Sequence, residues 1–325
     1  MIRNPISHKN IKFFYYLKGT LLEGLRKLGD KGSREKWLRI IDSLDQELIE
    51  ERLQYYSKNN ESFSYDGTVP KVGDFELPKK NSAYYFDLLE FARYFPNEVQ
   101  LKYQFGDVRE VPDIPTLVKS RPILENNENA LLFKFNRIRH FTFVNDRVAY
   151  QKKKNLLIGR ASVKQEHRRE FLRQYFNHPL CDLGQINSGT QHDEWLKKKI
   201  TINDHLQYKF VWCQEGNDVA SNLKWVMSSN SIAVMPEPSF ETWFMEGTLK
   251  PNIHYIAIKK DFSDLEERLR YYLAHEKEAL EIRDNANAYI KKFKNSTLEK
   301  ALCFLVLDKL IAQSGQIKPL FPKWY

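Results

Sequence analysis

Cysteine is scarce in this 325-residue sequence: there are three, Cys181, Cys213 and Cys303, far apart and without metal-ligand spacing. That excludes a disulfide framework and a cysteine zinc site, and fits reduced thiols in a cytoplasm. No run approaches the ~18 consecutive apolar residues of a spanning helix. The N-terminus, MIRNPISHKNIKFFYYLKG, is basic but has no continuous apolar stretch and no small-residue cleavage site, so no secretory leader is expected. Also missing are a phosphate loop, a GxGxxG fingerprint, a kinase catalytic loop and any nucleic-acid-binding module, so nucleic acid is not an expected partner. With 13 Gly and 13 Pro against 42% hydrophobic and 14% aromatic residues, the chain is neither low-complexity nor disordered.

What is there fits two domains, each able to bury a core. The 51 basic and 42 acidic residues leave a net charge of +9. Such a surface suits an anionic substrate or an anionic membrane face. The protein is expected in the cytoplasm, at most attached to the inner membrane surface through its basic and aromatic N-terminal segment. The lysine triplets at 152–154 and 197–199 read as solvated faces.

The chain is organised around residues 209–246, KFVWCQEGNDVASNLKWVMSSNSIAVMPEPSFETWFME. Phe210 to Cys213 reads as a buried strand stopped by a turn at Glu215-Gly216. A helix follows, capped by Ser221 or Asp218, and a second strand runs from Ser231 to Met235. This is a βαβ unit, and the N-terminus of its helix is a natural seat for phosphate. Glu241 to Glu246 is expected to start a further helix, with carboxylates near the carboxyl end of the sheet.

Residues 8 to 30 predict an amphipathic helix stopped by Gly29, with a core stripe of Phe13, Phe14, Leu17, Leu21, Leu22 and Leu25. A longer helix is expected from Ser33 to about Tyr56. Tyr84 to Tyr94 predicts a third. Val99 to Phe105 then alternates as a strand arriving at Gly106-Asp107-Val108-Arg109-Glu110, where charged side chains after a Gly turn can face a cleft. Leu131 to Phe135 and His140 to Asn145 read as short buried strands. Leu156 to Ser162 is a strand ending in small residues, and the next helix carries His167, Arg168, Arg169 and Arg173, which suits a pyrophosphate. A last helix spans Leu298 to Ala312. Strands and helices alternating in both halves argue for two α/β sheets.

Several stretches, in the same order, resemble the lipopolysaccharide-core glycosyltransferases of glycosyltransferase family 90, relatives of the eukaryotic protein O-glucosyltransferases. They are FGDVREVP, VKSRPI, LLFKFNRIRHFTFVND, KKKNLLIGRAS, HRREF and the central EGNDVASNLKWVMSSNS, between about Tyr84 and Phe293. The resemblance implies a GT-B fold of two Rossmann-like domains facing across a cleft: an acceptor domain over residues 1–150, a nucleotide-sugar domain over 151–295, and a C-terminal helical segment, 296–325, packing back on the first. It implies inverting transfer from a UDP-sugar to a glycan such as lipopolysaccharide core or capsule, without a metal or other cofactor. The catalytic base would be Asp107, by the Gly-Asp of the bacterial relatives, or Glu110, by the eukaryotic Val-Arg-Asp-x-Pro pattern; Asp107 is placed first and Glu110 stays open. Arg160, Ser162 and Arg168 match the donor-side turn and helix. Gly216, Asp218, Ser221, Asn222 and Lys224 match the nucleotide turn, and Glu237 and Glu241 are placed for ribose or sugar hydroxyls. Eukaryotic members carry Arg where Asn222 stands, so the diphosphate would be met by Arg160, Arg168 or Lys224. Two other readings are a sugar phosphotransferase and a binding protein that kept the fold and lost the chemistry.

Overall fold

The computed structural model describes residues 8–27, 33–189 and 192–324. The chain forms two compact units, Met1–Arg139 with Asn295–Tyr325, and His140–Lys294.

The first unit opens with α1 (His8–Lys27), α2 (Lys36–Asp42), α3 (Gln46–Tyr56) and α4 (Ser82–Ala92). The single helix expected from Ser33 to Tyr56 is broken at Ser43-Leu44-Asp45, because Asp45 takes an extended backbone and its side chain caps α3 by accepting from the Leu48 N–H. The expected stop of α1 at Gly29 lies outside the described residues. Three short parallel strands follow, β1 (Tyr103–Gln104), β2 (Thr116–Val118) and β3 (Ala130–Leu132), ordered as numbered. Val99–Phe105 thus yields only two strand residues, and His140–Asn145 forms none.

The expected core stripe of α1 is a correction. Phe13, Phe14, Leu17, Leu21 and Leu25 are exposed, and the opposite face docks instead. Gly19 sits against the Phe86 ring, which leaves no room for a Cβ. The Tyr15 hydroxyl donates to the Ala83 carbonyl and to Asp87, and the Tyr85 hydroxyl donates to Glu23. The helix therefore reaches α4 through polar groups.

In the second unit β4 (Lys154–Ala161), β5 (Cys181–Gln185), β6 (Tyr208–Trp212), β7 (Ile232–Met235) and β8 (Ile256–Ala257) form one fully parallel sheet, ordered β5-β4-β6-β7-β8. Besides a single turn at Ile202–His205, its described helices include α5 (Glu166–Tyr175), α6 (Leu223–Met227), α7 (Leu265–Ala274) and α8 (Glu276–Lys291). Strands covered on both faces read as continuous apolar runs, and Tyr208–Trp212 and Ile232–Met235 are buried at every position. Gly159 lies mid-strand where a Cβ would come within 2.8 Å of Trp212 and 2.9 Å of Leu183, so β4 packs closely only as glycine. The ring of Phe171 stacks on Trp212 at 4.4 Å, joining α5 to the sheet. Within the 152–154 triplet, Lys153 is buried rather than solvated, and its ammonium pairs with Asp146 at 2.7 Å. The helix expected from Glu241 does not form: Phe240–Thr242 is extended and a 3-10 turn follows at Glu246–Thr248.

The last helix, α9 (Ser296–Gln313), belongs to the first unit. Asn295 caps it, accepting from the Thr297 and Leu298 N–H groups. It is buried nearly all round, so its charged residues need partners. Glu299 pairs with Arg52 and Lys134, both at 2.6 Å, and Asp308 with Arg34 at 2.6 Å. Trp37 stacks on Phe304 at 5.0 Å, fixing α2 against it.

Candidate active site

In the first unit, Gly106 turns the chain after β1 with φ +107°, a backbone that favours glycine. Val108 buries its side chain and holds the turn to the core. Asp107 pairs with the Lys119 ammonium at 2.5 Å; Lys119 is buried and Asp107 about two-fifths exposed. Glu110, further along the loop, is exposed. The two candidate bases thus differ in setting: one is anchored by a buried cation and the other stands in solvent.

In the second unit the strand order reverses between β4 and β6, and ligands of open parallel sheets bind outside the carboxyl ends of the strands at such a point. A cavity of about 200 Å³ lies beside that point, outside the carboxyl ends of β6 and β7. Cys213, Gln214 and Glu215 come from the end of β6, and Met235 to Phe240 from the end of β7. His167 joins from the first turn of α5, Val219, Ala220 and Leu223 from the approach to α6, and Lys260 and Phe262 from beyond β8. Phe262 has φ +65°, a strained backbone for a non-glycine residue, and the Tyr175 hydroxyl holds it by donating to its carbonyl at 2.6 Å.

Arg168 shapes this site without lining it. Its guanidinium donates to the carbonyls of Ser162, Gln214 and Glu215, each at 2.9 Å, so one side chain ties the turn after β4 to the turn after β6. Burial pulls its pKa down to about 10. It also lies 3.3 Å from where a Cβ on Gly216 would stand, which keeps that position small. Arg160 is turned to β5, bonding the Asp182 carboxylate at 2.7 Å and the Asp182 carbonyl at 2.6 Å. Burial would raise the Asp182 pKa, but Lys197, Arg160 and Tyr208 together drive it down to about 2.

Asn222, rather than the expected Ser221 or Asp218, is the N-cap residue of α6 and makes no side-chain cap; its amide instead donates to the Trp212 carbonyl at 2.9 Å. Asp218 is buried and Ser221 half-buried beside the helix start. Lys224 is fully buried and pairs with Glu246 at 2.5 Å. Glu246 also accepts the Thr242 N–H and hydroxyl, which closes the segment after β7. Glu237 is exposed on the cavity wall, whereas Glu241 is buried and does not line it. None of Arg160, Arg168 and Lys224 lines the cavity; its basic groups are His167 and Lys260.

The sequence reading missed Gln214, Glu215 and Lys260 as cavity residues. Glu215 accepts from the Ser239 and Phe240 N–H groups at 2.8 and 3.1 Å, and burial raises its pKa. Its place next to Gly216 was the one available signal.

A fully parallel sheet with its cavity at the carboxyl ends of the strands defines a Rossmann-like α/β protein. The model of Glycosyl transferase family 90 matches residues 136–306. The O-glucosyltransferase LpsA of Dichelobacter nodosus is 41% identical over 261 residues, covering 80% of this chain and 82% of that protein. Protein O-glucosyltransferase 2 of Danio rerio is 28% identical over 96 residues, 28% of this chain and 19% of that protein. The chain belongs to glycosyltransferase family 90 and is a glycosyltransferase.

Proposed function

We propose that this protein is an inverting, metal-independent transferase of GT-B type that moves a sugar, glucose by likeness to LpsA, from a UDP-sugar to a glycan acceptor of the lipopolysaccharide-core or capsule kind. The observation that supports it most is the cavity at the carboxyl ends of β6 and β7, with Glu237 on its wall for ribose or sugar hydroxyls and His167 and Lys260 for phosphate oxygens. Arg168 keeps the turn around Gly216 in shape for the nucleotide. Membership of a glycosyltransferase family sets aside the phosphotransferase reading. In this reading the protein works on the cytoplasmic side of the inner membrane.

The acceptor hydroxyl oxygen attacks the anomeric carbon, the bond from that carbon to the β-phosphate oxygen breaks, and UDP leaves with the electron pair. The hydroxyl proton passes to a carboxylate. Asp107 is the first choice, since Lys119 fixes the direction of its carboxylate, and Glu110 is the second.

The test is transfer from UDP-glucose to a soluble acceptor oligosaccharide in EDTA, with the product anomer read by NMR. Inversion is expected, and Asp107→Asn should cut the rate about 10²–10⁴-fold while Glu110→Gln stays near wild type. The opposite pattern moves the base to Glu110. Retained configuration, or transfer only with a divalent metal, would overturn the mechanism.

A further inference from the structure

Helix α1 presents its apolar side to solvent. Phe13, Phe14, Leu17, Leu21 and Leu25 recur at helical spacing, and their exposures of 64%, 61%, 45%, 60% and 43% mean that the described residues cover none of them fully. The other side is held down by polar contacts: Tyr15 to Asp87, Lys18 to Glu90 at 2.6 Å, and Arg26 to the carbonyls of Gly73 and Phe75. An amphipathic helix normally does the reverse.

Charge identifies the occupant. The first 32 residues contain seven Lys or Arg and two Asp or Glu, a net +5 out of +9 for the whole chain. A basic helix with an outward aromatic and leucine face suits the interface of an anionic bilayer, where rings and aliphatic chains enter the headgroup boundary and lysines remain among the phosphates. A second copy of this chain would bring the same positive segment against itself.

We propose that the exposed face of α1 is a membrane-docking surface for anionic lipid, held to the first unit by Tyr15, Lys18 and Arg26. This deepens the membrane-surface part of the proposed function and is independent of the donor chemistry.

The test is sedimentation of the full-length protein with vesicles of phosphatidylcholine alone or with one-third phosphatidylglycerol. The triple variant Phe13→Ser/Leu17→Ser/Leu21→Ser is run beside wild type, and melting temperature, UDP affinity and native mass are measured on both. Wild type should bind the anionic vesicles at least tenfold more tightly than the neutral ones, and more weakly at high salt. The variant should lose at least tenfold in vesicle binding, with unchanged melting temperature and UDP affinity. Equal binding to both vesicle types, or a variant that binds as well as wild type, would overturn the proposal. A wild-type dimer that the variant dissolves would also overturn it, assigning the face to a second copy. A failure of UDP binding in both proteins would count against the donor site and leave the membrane result standing.

Discussion

Arg168 shows how one side chain can decide a site it does not line. Three carbonyls at the ends of two strands face one planar guanidinium, which reaches each from a different nitrogen, whereas an ammonium carries its three donors on a single atom. Arg168→Lys should therefore cost about 1.5–3 kcal/mol in chemical denaturation and weaken UDP binding about tenfold in titration calorimetry. Unchanged stability and affinity would show that the turns hold without it. The sequence exposed Arg168 as a candidate because it lies in a basic helix after a strand. It did not reveal that the side chain bonds protein backbone, since its partners Gln214 and Glu215 are more than 40 residues away. For the same reason Lys224 looked free for phosphate, although Glu246 holds it in the interior.

Among the elements, those with a complete local signal were legible and those set by distant packing were not. Helix α5 and strands β4, β6 and β7 show as apolar runs or periodic stripes and appear near the expected residues, whereas the edge strand β5, Cys181–Gln185, was not expected, its polar Asp182, Gly184 and Gln185 breaking any apolar run. The run from Ser33 to Tyr56 kept helical spacing across a real break, because the Asp45 cap competes with a pattern that itself continues. For α1, amphipathicity was legible while the direction it faces was not, because Tyr15 and Glu23 find their partners on α4. In α9, burial on every side hides a lysine that gives the helix a pH signature. The Lys309 ammonium donates to the Ser57 carbonyl and to Asn60, and burial pulls its pKa down from 10.5 to about 8. The unfolded chain keeps that proton to about pH 10.4. Between pH 8 and pH 10 the unfolded state therefore binds more protons, and the fold gains stability as pH rises. Urea denaturation of wild type and Lys309→Met at pH 7.5, 8.5 and 9.5 should show wild type gaining on the variant at each step. A constant difference would mean that Lys309 titrates normally.

At the scale of the whole molecule, the chain has two α/β units, and the second carries a cavity where parallel sheets bind nucleotides. No described helix is long and apolar enough to cross a membrane. The central claim is that this cavity takes the nucleotide of the sugar donor. Its most direct test is thermal denaturation of the full-length protein with UDP, GDP, CMP or ADP in EDTA, beside the exposed cavity-wall variant Glu237→Ala. A ligand bound only by the folded state at a hundred times its Kd adds about 2.7 kcal/mol. The melting temperature should rise with UDP above the other nucleotides, and rise less in Glu237→Ala although that variant melts like wild type when unliganded. No shift with any nucleotide, or an equal UDP shift in the variant, would contradict this placement of the donor.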